Sequence, residues 1–454
     1  MILGILLAAL TAMYALACLG VVWLERTPSP FSPEEIAAPQ RLPAGFLWGT
    51  ATSAYQIEGG ARGEDWWTFE EQPGRIARGE RSGRAADHWN HVAEDVELMR
   101  RLGANAYRFS ILWSRVEPAP GRRDEAAWAH YADEARRLRA AGIVPMVTLH
   151  HFTLPRWLEG GVLDPEFPAA FGRLAGEAAR RLGGEVELWC TINEPNVLMF
   201  KGFVEGSWPP AVQDPARAVG AFANLLRAHA QAADAIRAAR PRAKIGVAMH
   251  LRVFEPSRPW FLLDGIAARG SARVFNWAFH DAIAAGRLRF SAPGFPHLDE
   301  PLPELVGSVD WFGLNYYSRD MVRFSPSAPG LTARMPGPGA QTDLGWEIHP
   351  EGLLRLLRAA HRRYGLPIHV TENGIADARG TARAAFLRAH VHAVARAAAE
   401  GVPVRGYFHW SLTDNFEWAE GFEPRFGLYR VDYRTFARAP AGGAEEFAAL
   451  AAGR

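Results

Sequence analysis

The sequence predicts an α/β fold, a (β/α)8 or TIM barrel built as a single domain, and two observations support this. From Leu42 onward, short apolar runs alternate with longer helical stretches rich in Ala, Arg and Leu, which is typical of βα units around a parallel sheet. Eight such runs occur, and eight strands close a barrel. They are Phe46–Ala51, Ala106–Ser110, Val144–His150, Glu187–Ile192, Lys244–Met249, Trp311–Asn315, Ile368–Thr371 and Gly406–Ser411.

The runs end in polar or aromatic side chains. Because all strand ends of a barrel open onto one face, we expect these side chains to meet there as a site. In chain order they are Gln56 shortly after the first run, then Arg108, His150-His151, Asn193-Glu194, His250, Asn315-Tyr316-Tyr317, Glu372-Asn373 and His409-Trp410. The Pro- and Gly-rich stretch Phe324–Gly345 is expected to be an irregular loop at the rim of that site.

Composition narrows the function classes. The chain has 454 residues, 48% of them hydrophobic, which suffices for the core of one large barrel. Lys and Arg number 50 against 49 Asp and Glu, so nothing indicates a nucleic-acid partner. Cys18 and Cys190 are not expected to pair, and Cys190 is interpreted as a small buried hydrophobic residue. No metal-binding His spacing, phosphate loop or dinucleotide fingerprint occurs in the sequence, so no cofactor is predicted.

Residues 1–24 carry no charged side chain and form a predicted hydrophobic helix, at about 1.5 Å per residue long enough to cross a bilayer. We expect a retained membrane anchor. Two alternatives stay open: a signal peptide cleaved after Ala15-Leu16-Ala17, with secretion of the rest, and a lipid-modified Cys18. The side of the membrane cannot be read from the flanking charges, Glu25 and Arg26. Residues 25–40, rich in proline, predict a linker to a catalytic domain over residues 41–454.

Two glutamates carry the predicted chemistry. Glu194 and Glu372 each follow a short β-branched run, where a barrel strand delivers its last side chain into a site. A pair of such carboxyl groups can cleave a glycosidic bond, one protonating the leaving oxygen and the other attacking the sugar carbon or activating water.

Around these glutamates the chain resembles the family 1 glycoside hydrolases, the β-glucosidase family, from about Leu42 to about Arg438. Several motifs occur in the family's order, from the signature Phe46–Gly59 through Asp87-His88-Trp89 and Tyr107-Arg108-Phe109-Ser110 to Asn193-Glu194-Pro195, Asn315-Tyr316-Tyr317, Thr371-Glu372-Asn373-Gly374, Trp410–Trp418 and Arg425-Phe426-Gly427-Leu428. The resemblance implies a (β/α)8 barrel and hydrolysis of β-linked glycosides with retention of configuration, with the two carboxyl groups about 5–5.5 Å apart.

The same resemblance implies roles for single residues. Glu194 would be the general acid and base, and Glu372 the nucleophile, kept ionised by Arg108 and contacted by Tyr317. The negative charge of Glu372 is expected to raise the pKa of Glu194. Substrate binding would fall to Gln56, His151, Asn193, Asn315, Trp410, Glu417, Trp418 and Phe426.

Two positions bear on the substrate. Glu417 would face the 4- and 6-hydroxyls of the sugar, and a carboxylate there repels a 6-phosphate, so non-phosphorylated glycosides are expected. Phe152 stands where the family commonly has Trp, and it lacks an N–H for the 3-hydroxyl. The expected consequence is either weaker discrimination at that hydroxyl or a substitute donor from elsewhere in the site.

The leading prediction is therefore a membrane-tethered retaining β-glycosidase acting on a small β-glycoside or oligosaccharide. β-Glucosides are favoured, with β-galactosides or β-fucosides tolerated. A transglycosidase with a sugar or alcohol acceptor is an alternative, because acceptor choice depends on the rim loops. A non-catalytic glycan-binding barrel is disfavoured, because both glutamates are present. The sequence assigns neither the aglycone nor the oligomeric state.

Overall fold

Thirteen strands are present in the described part of the chain, and eight of them form a closed parallel barrel. The computed structural model describes residues 27–453 together with residues 10, 11, 13, 14 and 20. In chain order the strands are β1 (Leu47–Ala51), β2 (Ala106–Ser110), β3 (Val144–His150), β4 (Leu188–Asn193), β5 (Lys244–Pro256), β6 (Arg287–Phe290), β7 (Leu298–Pro301), β8 (Trp311–Phe324), β9 (Thr332–Pro336), β10 (Ile368–Asn373), β11 (Val404–Trp410), β12 (Tyr429–Val431) and β13 (Arg438–Pro440).

The barrel closes through parallel pairing of β1 with β11 and of β10 with β8. Around the ring the order is β1, β2, β3, β4, β5, β8, β10 and β11. The (β/α)8 fold predicted from the alternation of runs is confirmed, and each of the eight predicted runs falls on one of the eight barrel strands.

Helices surround the barrel and pack their apolar faces on it. They are α1 (Pro33–Ala37), α2 (Ala54–Ile57), α3 (Asp65–Glu70), α4 (His88–Arg101), α5 (Trp113–Val116), α6 (Glu125–Ala140), α7 (Phe167–Leu182), α8 (Pro195–Met199), α9 (Pro215–Ala239), α10 (Leu262–Ala272), α11 (Ala278–Ala285), α12 (Pro350–Tyr364), α13 (Arg383–Ala399) and α14 (Ala444–Ala452). Within residues 27–453 and the five described positions before them, no helix is both long and apolar enough to span a bilayer. The anchor predicted for residues 1–24 lies largely outside the described residues.

Strands β5 and β8 extend well past their predicted ends at Met249 and Asn315. Their outer halves continue to pair, through Val253 with Arg319 up to Pro256 with Val322. Strand β9 adds to β8 in antiparallel register, so the stretch Phe324–Gly345, predicted to be irregular, contains a strand. The ends of β5 and β8 were predicted too early because their outer halves carry charged side chains, whereas the prediction relied on apolar runs.

The Pro-rich segment before the barrel is docked rather than free. Phe31 is buried, and its backbone N–H donates to the Glu351 carboxylate at 2.9 Å. Helix α1 begins with a capping box between Ser32 and Glu35. The Thr27 hydroxyl donates to Glu255 on outer β5. A linker was expected here, but the structure shows a segment that runs along the barrel wall from the end of β5.

Candidate active site

Most of the side chains predicted to meet at one barrel face do so. The exceptions are His150, Tyr316, Asn373 and His409, which are buried against Phe167, His349, Tyr407 and Phe447, respectively. The others surround a cavity of about 500 Å³. Strand ends and the loops after them supply its walls. The wall includes the predicted residues Gln56, His151, Glu194, Tyr317, Glu372, Trp410, Glu417, Trp418 and Phe426. Arg108, Asn193 and Asn315 are fully buried behind this wall, where they contact the two glutamates or each other.

Glu372 is held at both carboxylate oxygens. Arg108 donates from Nη1 to Oε1 at 2.6 Å, and the Tyr317 hydroxyl donates to Oε2 at 2.7 Å. Arg108 comes from β2, and its second Nη donates to Asn193 Oδ1 at 2.6 Å. A guanidinium and a phenol on one carboxylate favour its ionised form. The arrangement suits a carboxylate nucleophile.

Glycine is required two residues after Glu372. A Cβ atom on Gly374 would lie 1.9 Å from the backbone oxygen of Trp410. Only a residue without a side chain lets the end of β10 approach the end of β11 this closely. The glycine of the motif therefore brings the Glu372 strand end next to Trp410.

Glu194 lies at the end of β4, where the backbone turns sharply. It has φ of 48° and ψ of 56°, the left-handed region, and precedes Pro195 at the start of α8. Phe152 and Trp418, also in the cavity wall, share positive φ values of 72° and 52°. Such conformations are costly in non-glycine residues and concentrate at functional sites. Here the turn directs the Glu194 side chain away from the strand axis.

Glu194 receives two donors on a single oxygen. Asn315 Nδ2 donates to Oε1 at 2.7 Å, and His250 Nδ1 lies 3.1 Å from the same atom. Asn315 is fixed in turn by the Thr371 hydroxyl at 2.6 Å. Asn315 was predicted to bind substrate. The structure places it beneath Glu194, where it orients that carboxyl group.

The pKa values of the two glutamates depart from the expected order. Burial raises the pKa of Glu372 to about 7, with the charge of Glu194 adding to the rise and Arg108 and Tyr317 opposing it. For Glu194, burial favours the neutral form, but the contact with His250, the Asn315 amide and the charge of Arg108 bring the pKa below the usual glutamate value. These contacts on Glu194 therefore reverse the order expected from the sequence.

The polar end of the cavity is formed by Gln56 and Glu417. Gln56 Nε2 donates to Glu417 Oε2 at 3.2 Å and to Asn415 Oδ1 at 2.8 Å. Burial and the nearby charges of Glu372 and Glu194 raise the pKa of Glu417 to about 8. The carboxyl groups of Glu194, Glu372 and Glu417 thus interact with one another in this cavity, and donors on a bound ligand would relieve their repulsion.

Aromatic rings form the other walls. His151 stacks on Trp410 at 5.9 Å and on Trp418 at 6.2 Å between ring centroids. Phe152 packs edge-on against Trp418 at 5.3 Å and Trp208 at 4.9 Å. Flat apolar faces beside carboxylates and amides match the mixed surface of a sugar.

Several residues of the wall were not predicted from the sequence. Arg252 and Trp346 line the cavity, as do Trp208 and Arg334. His250 was noted only as a strand end. Its position on the fifth barrel strand, next to the strand that leads to Glu194, could have suggested a role as a partner of that glutamate. Arg252 could not be found this way, because β5 was expected to end at Met249.

Comparisons with known proteins agree with this geometry. The family model described as glycosyl hydrolase family 1 matches residues 38–452. The chain is 37% identical to beta-glucosidase A of Thermotoga maritima, covering 87% of this chain and 94% of that one. It is 34% identical to a bifunctional beta-D-glucosidase/beta-D-fucosidase of Bifidobacterium breve, with 87% and 94% covered. The solved family 1 b-glucosidase from Thermotoga maritima superposes with a TM-score of 0.87 at 34% identity, over 92% of this chain and 99% of that one.

Proposed function

The chain belongs to glycosyl hydrolase family 1 and is a glycoside hydrolase, and from that premise we propose that it is a retaining β-glycosidase for terminal non-phosphorylated β-D-glycosides, β-glucosides above all. The observation that carries the proposal is the pair Glu194 and Glu372, set at the ends of β4 and β10 with different donors. Arg108 and Tyr317 donate to Glu372, whereas Asn315 donates to Glu194.

In the first step Glu372 attacks the anomeric carbon as the bond to the leaving oxygen breaks, and Glu194 gives its proton to that oxygen. The product is a glycosyl ester on Glu372. Esterification removes the charge of Glu372, which lowers the pKa of Glu194, so Glu194 then takes a proton from water. The water oxygen attacks the anomeric carbon and releases Glu372, with configuration retained.

The fit to a glucoside is argued from the polar end of the cavity. Glu417 and Gln56 present a carboxylate and an amide to neighbouring sugar hydroxyls, which can donate and accept in turn. A phosphate at the 6-position would meet the carboxyl groups of Glu417 and Glu420 in the same cavity wall. The named relatives act on β-glucosides and, in one case, β-fucosides, which supports the same substrate class here.

The test is turnover of p-nitrophenyl β-D-glucoside by the full chain in detergent, compared with Glu372→Gly supplied with azide. We expect wild-type hydrolysis, its loss in the variant, and rescue by azide as the α-glycosyl azide. Glu194→Ala with azide should give the β-glycosyl azide instead. Glu304→Gly, at an exposed position outside the cavity, is the matched control and should retain turnover without forming an azide product.

Substrate class is tested with the β-galactoside, the β-fucoside and the 6-phospho-β-glucoside. Faster turnover of the phosphorylated sugar would refute the role given to Glu417. If folded protein hydrolyses none of the neutral β-glycosides, the result would favour a non-catalytic glycan-binding barrel. Transfer of glucose to an added alcohol in excess of hydrolysis would instead favour the transglycosidase.

We propose further that residues 1–24 anchor the enzyme in a membrane. Support comes from the absence of charge over that stretch and from the surface next to Thr27, where Trp260, Leu263 and Ile266 are 67%, 40% and 54% exposed. The measurement is recovery in carbonate-washed membranes together with the intact mass. A mass lacking the first residues would favour a cleaved signal, an added acyl mass would indicate lipidation at Cys18, and protease protection would assign the side.

A further inference from the structure

His250 is the one side chain beside Glu194 to which no role has yet been given. It lies on β5, is 5% exposed, and is fixed by rings on two sides. Its ring stacks on Tyr317 at 5.6 Å and meets Phe275 edge-on at 5.8 Å. Since neither ring offers it a proton acceptor, the hydrogen bonds of His250 depend on Glu194 and on Arg252.

Arg252 determines which nitrogen of His250 carries the proton. The two residues are two apart on β5 and therefore project to the same face. Arg252 Nε donates to His250 Nε2 at 3.1 Å. A guanidinium stays protonated and can only donate, so Nε2 must keep its lone pair. The imidazole is then neutral, with its hydrogen on Nδ1, directed at Glu194 Oε1 3.1 Å away.

Arg252 is itself held rigidly from two neighbours. Its Nη1 donates to both carboxylate oxygens of Asp320 on β8, at 2.9 and 3.2 Å. Asn276 accepts from its backbone N–H at 3.0 Å and donates to its backbone oxygen at 2.8 Å. The position of the guanidinium is therefore set by outer β5 and β8, the part of the sheet beyond the predicted strand ends.

A neutral donor on Nδ1 also determines where the proton of Glu194 resides. Asn315 and His250 both approach Oε1, which then acts as the accepting oxygen of a carboxylic acid. Among the described residues none donates to Oε2. The acidic proton is thus left on Oε2.

We propose that Asp320, Arg252 and His250 form a positioning relay that keeps Glu194 protonated on Oε2 and aimed at the leaving oxygen; this rests on the proposed acid and base role of Glu194. The charged and titratable groups facing His250 are Glu194 from β4, Arg252 on its own strand and Tyr317 from β8. None of the three residues of the relay exchanges a proton with substrate.

The electrostatics of the cavity agree with the relay. Burial raises the pKa of Glu194, and the contact with His250, the Asn315 amide and the charge of Arg108 bring it below the usual glutamate value. An imidazole that stays neutral removes the attraction of a positive charge beside Glu194, so the protonated acid is favoured more strongly. The change is toward the order expected from the sequence, in which Glu194 is the acid and Glu372 the ionised partner.

The test is Arg252→Met in the full chain, assayed by kcat/KM on aryl and alkyl β-glucosides whose leaving groups differ in acidity. 2,4-Dinitrophenolate leaves without acid assistance, whereas a simple alkoxide needs it. Because general acid catalysis contributes about 10²–10⁴-fold, we expect a loss of about 10-fold or more with the alkyl glucoside and a change within about 3-fold with the dinitrophenyl glucoside. The basic limb of the pH profile should also move to lower pH.

Two further variants make the test specific. Arg323→Met removes an exposed arginine from outer β8, the strand that carries Asp320, outside the cavity wall, and should leave the whole series unchanged. His250→Asn keeps a neutral N–H near Glu194 but takes away the ring nitrogen that accepts from Arg252. In that background, Arg252→Met should have no further effect on leaving-group dependence.

The outcomes separate the relay from the proposed function. An equal loss across all leaving groups in Arg252→Met, or additive effects in the double variant, would overturn the relay and leave a structural role for Arg252. If the wild type hydrolyses none of the series, the proposed function itself fails. A wild type that is active, with a Glu194→Ala variant showing no leaving-group dependence, would remove the acid role on which the relay rests.

Discussion

Replacing Tyr317 with Phe removes one donor from the nucleophile and leaves the ring in place. The hydroxyl donates to Glu372 Oε2 at 2.7 Å, and the ring packs edge-on against Trp346 and Phe426, contacts that Phe preserves. A hydrogen bond to a charged group contributes about 1.5–3 kcal/mol. Since one pKa unit corresponds to about 1.4 kcal/mol, the pKa of Glu372 should rise by about one unit or more.

The direction in which the pH profile shifts follows from which protonation state of Glu372 reacts. Glu372 must be ionised to attack, and its pKa, raised by burial to about 7, sets the acidic limb of kcat/KM. Loss of the Tyr317 donor destabilises the carboxylate. The acidic limb should therefore move to higher pH, with the largest loss of activity below neutrality.

The assay is the pH profile of kcat/KM with 2,4-dinitrophenyl β-glucoside, which needs little acid assistance. Tyr316→Phe is the matched control, because the Tyr316 hydroxyl donates to the His349 backbone oxygen at 2.7 Å and touches neither glutamate. Tyr316→Phe should lower the thermal stability without moving the acidic limb of kcat/KM. An acidic limb that stays in place in Tyr317→Phe, with activity reduced equally at every pH, would refute the argument.

Three other predictions follow from single positions. Phe152→Trp should add an N–H donor and lower the KM for glucosides by about 2- to 10-fold, because a hydrogen bond contributes about 0.5–1.5 kcal/mol. The larger ring should lower the Tm. Unchanged KM and sugar preference would contradict this prediction. Glu417→Ser should raise kcat/KM for a 6-phosphoglucoside relative to the glucoside, measured on both substrates, and an unchanged ratio would remove Glu417 as the discriminating group. Despite burial, contacts with Glu134 and Asp95 raise the pKa of His88 to about 10, so its ionic stabilisation is complete below about pH 6.5 and is lost as pH rises through 10. The destabilisation by His88→Gln, measured by urea unfolding, should accordingly shrink between those pH values, and a constant difference would contradict it.

The barrel could be predicted from the sequence because its inner strands are buried on both faces. Continuous apolar runs such as Val144–His150 signal such strands directly, and the structure gives that strand the same bounds. Outer β5 and β8 could not be predicted the same way. They bury Phe254 and Val322 in a small apolar cluster but also carry cross-strand ion pairs, such as Arg319 with Glu255 at 2.9 Å. The charged residues of these pairs interrupt the apolar run.

The sequence motifs identified residues of the candidate site, but not which of them line the cavity and which lie behind its wall. Glu194 and Glu372 line the cavity as expected. Asn315 lies behind them because its amide donates to the Glu194 carboxyl group, which the sequence does not place next to it. The His250 contact was hidden for another reason: it depends on a tautomer, which is set by Arg252 on a strand extension that the pattern did not reveal.

The docked segment before the barrel has a geometric consequence. The Thr27 hydroxyl donates a hydrogen bond to Glu255, and Glu255 also accepts one from Arg319, a residue of the cavity wall. Thr27 therefore lies at the level of the cavity mouth and not at the opposite end of the barrel. A membrane anchor in residues 1–24, as proposed above, would hold the mouth close to the membrane surface. Glycosides carried on that surface would then meet the enzyme at a high effective concentration, whereas dissolved glycosides would gain nothing from the tether.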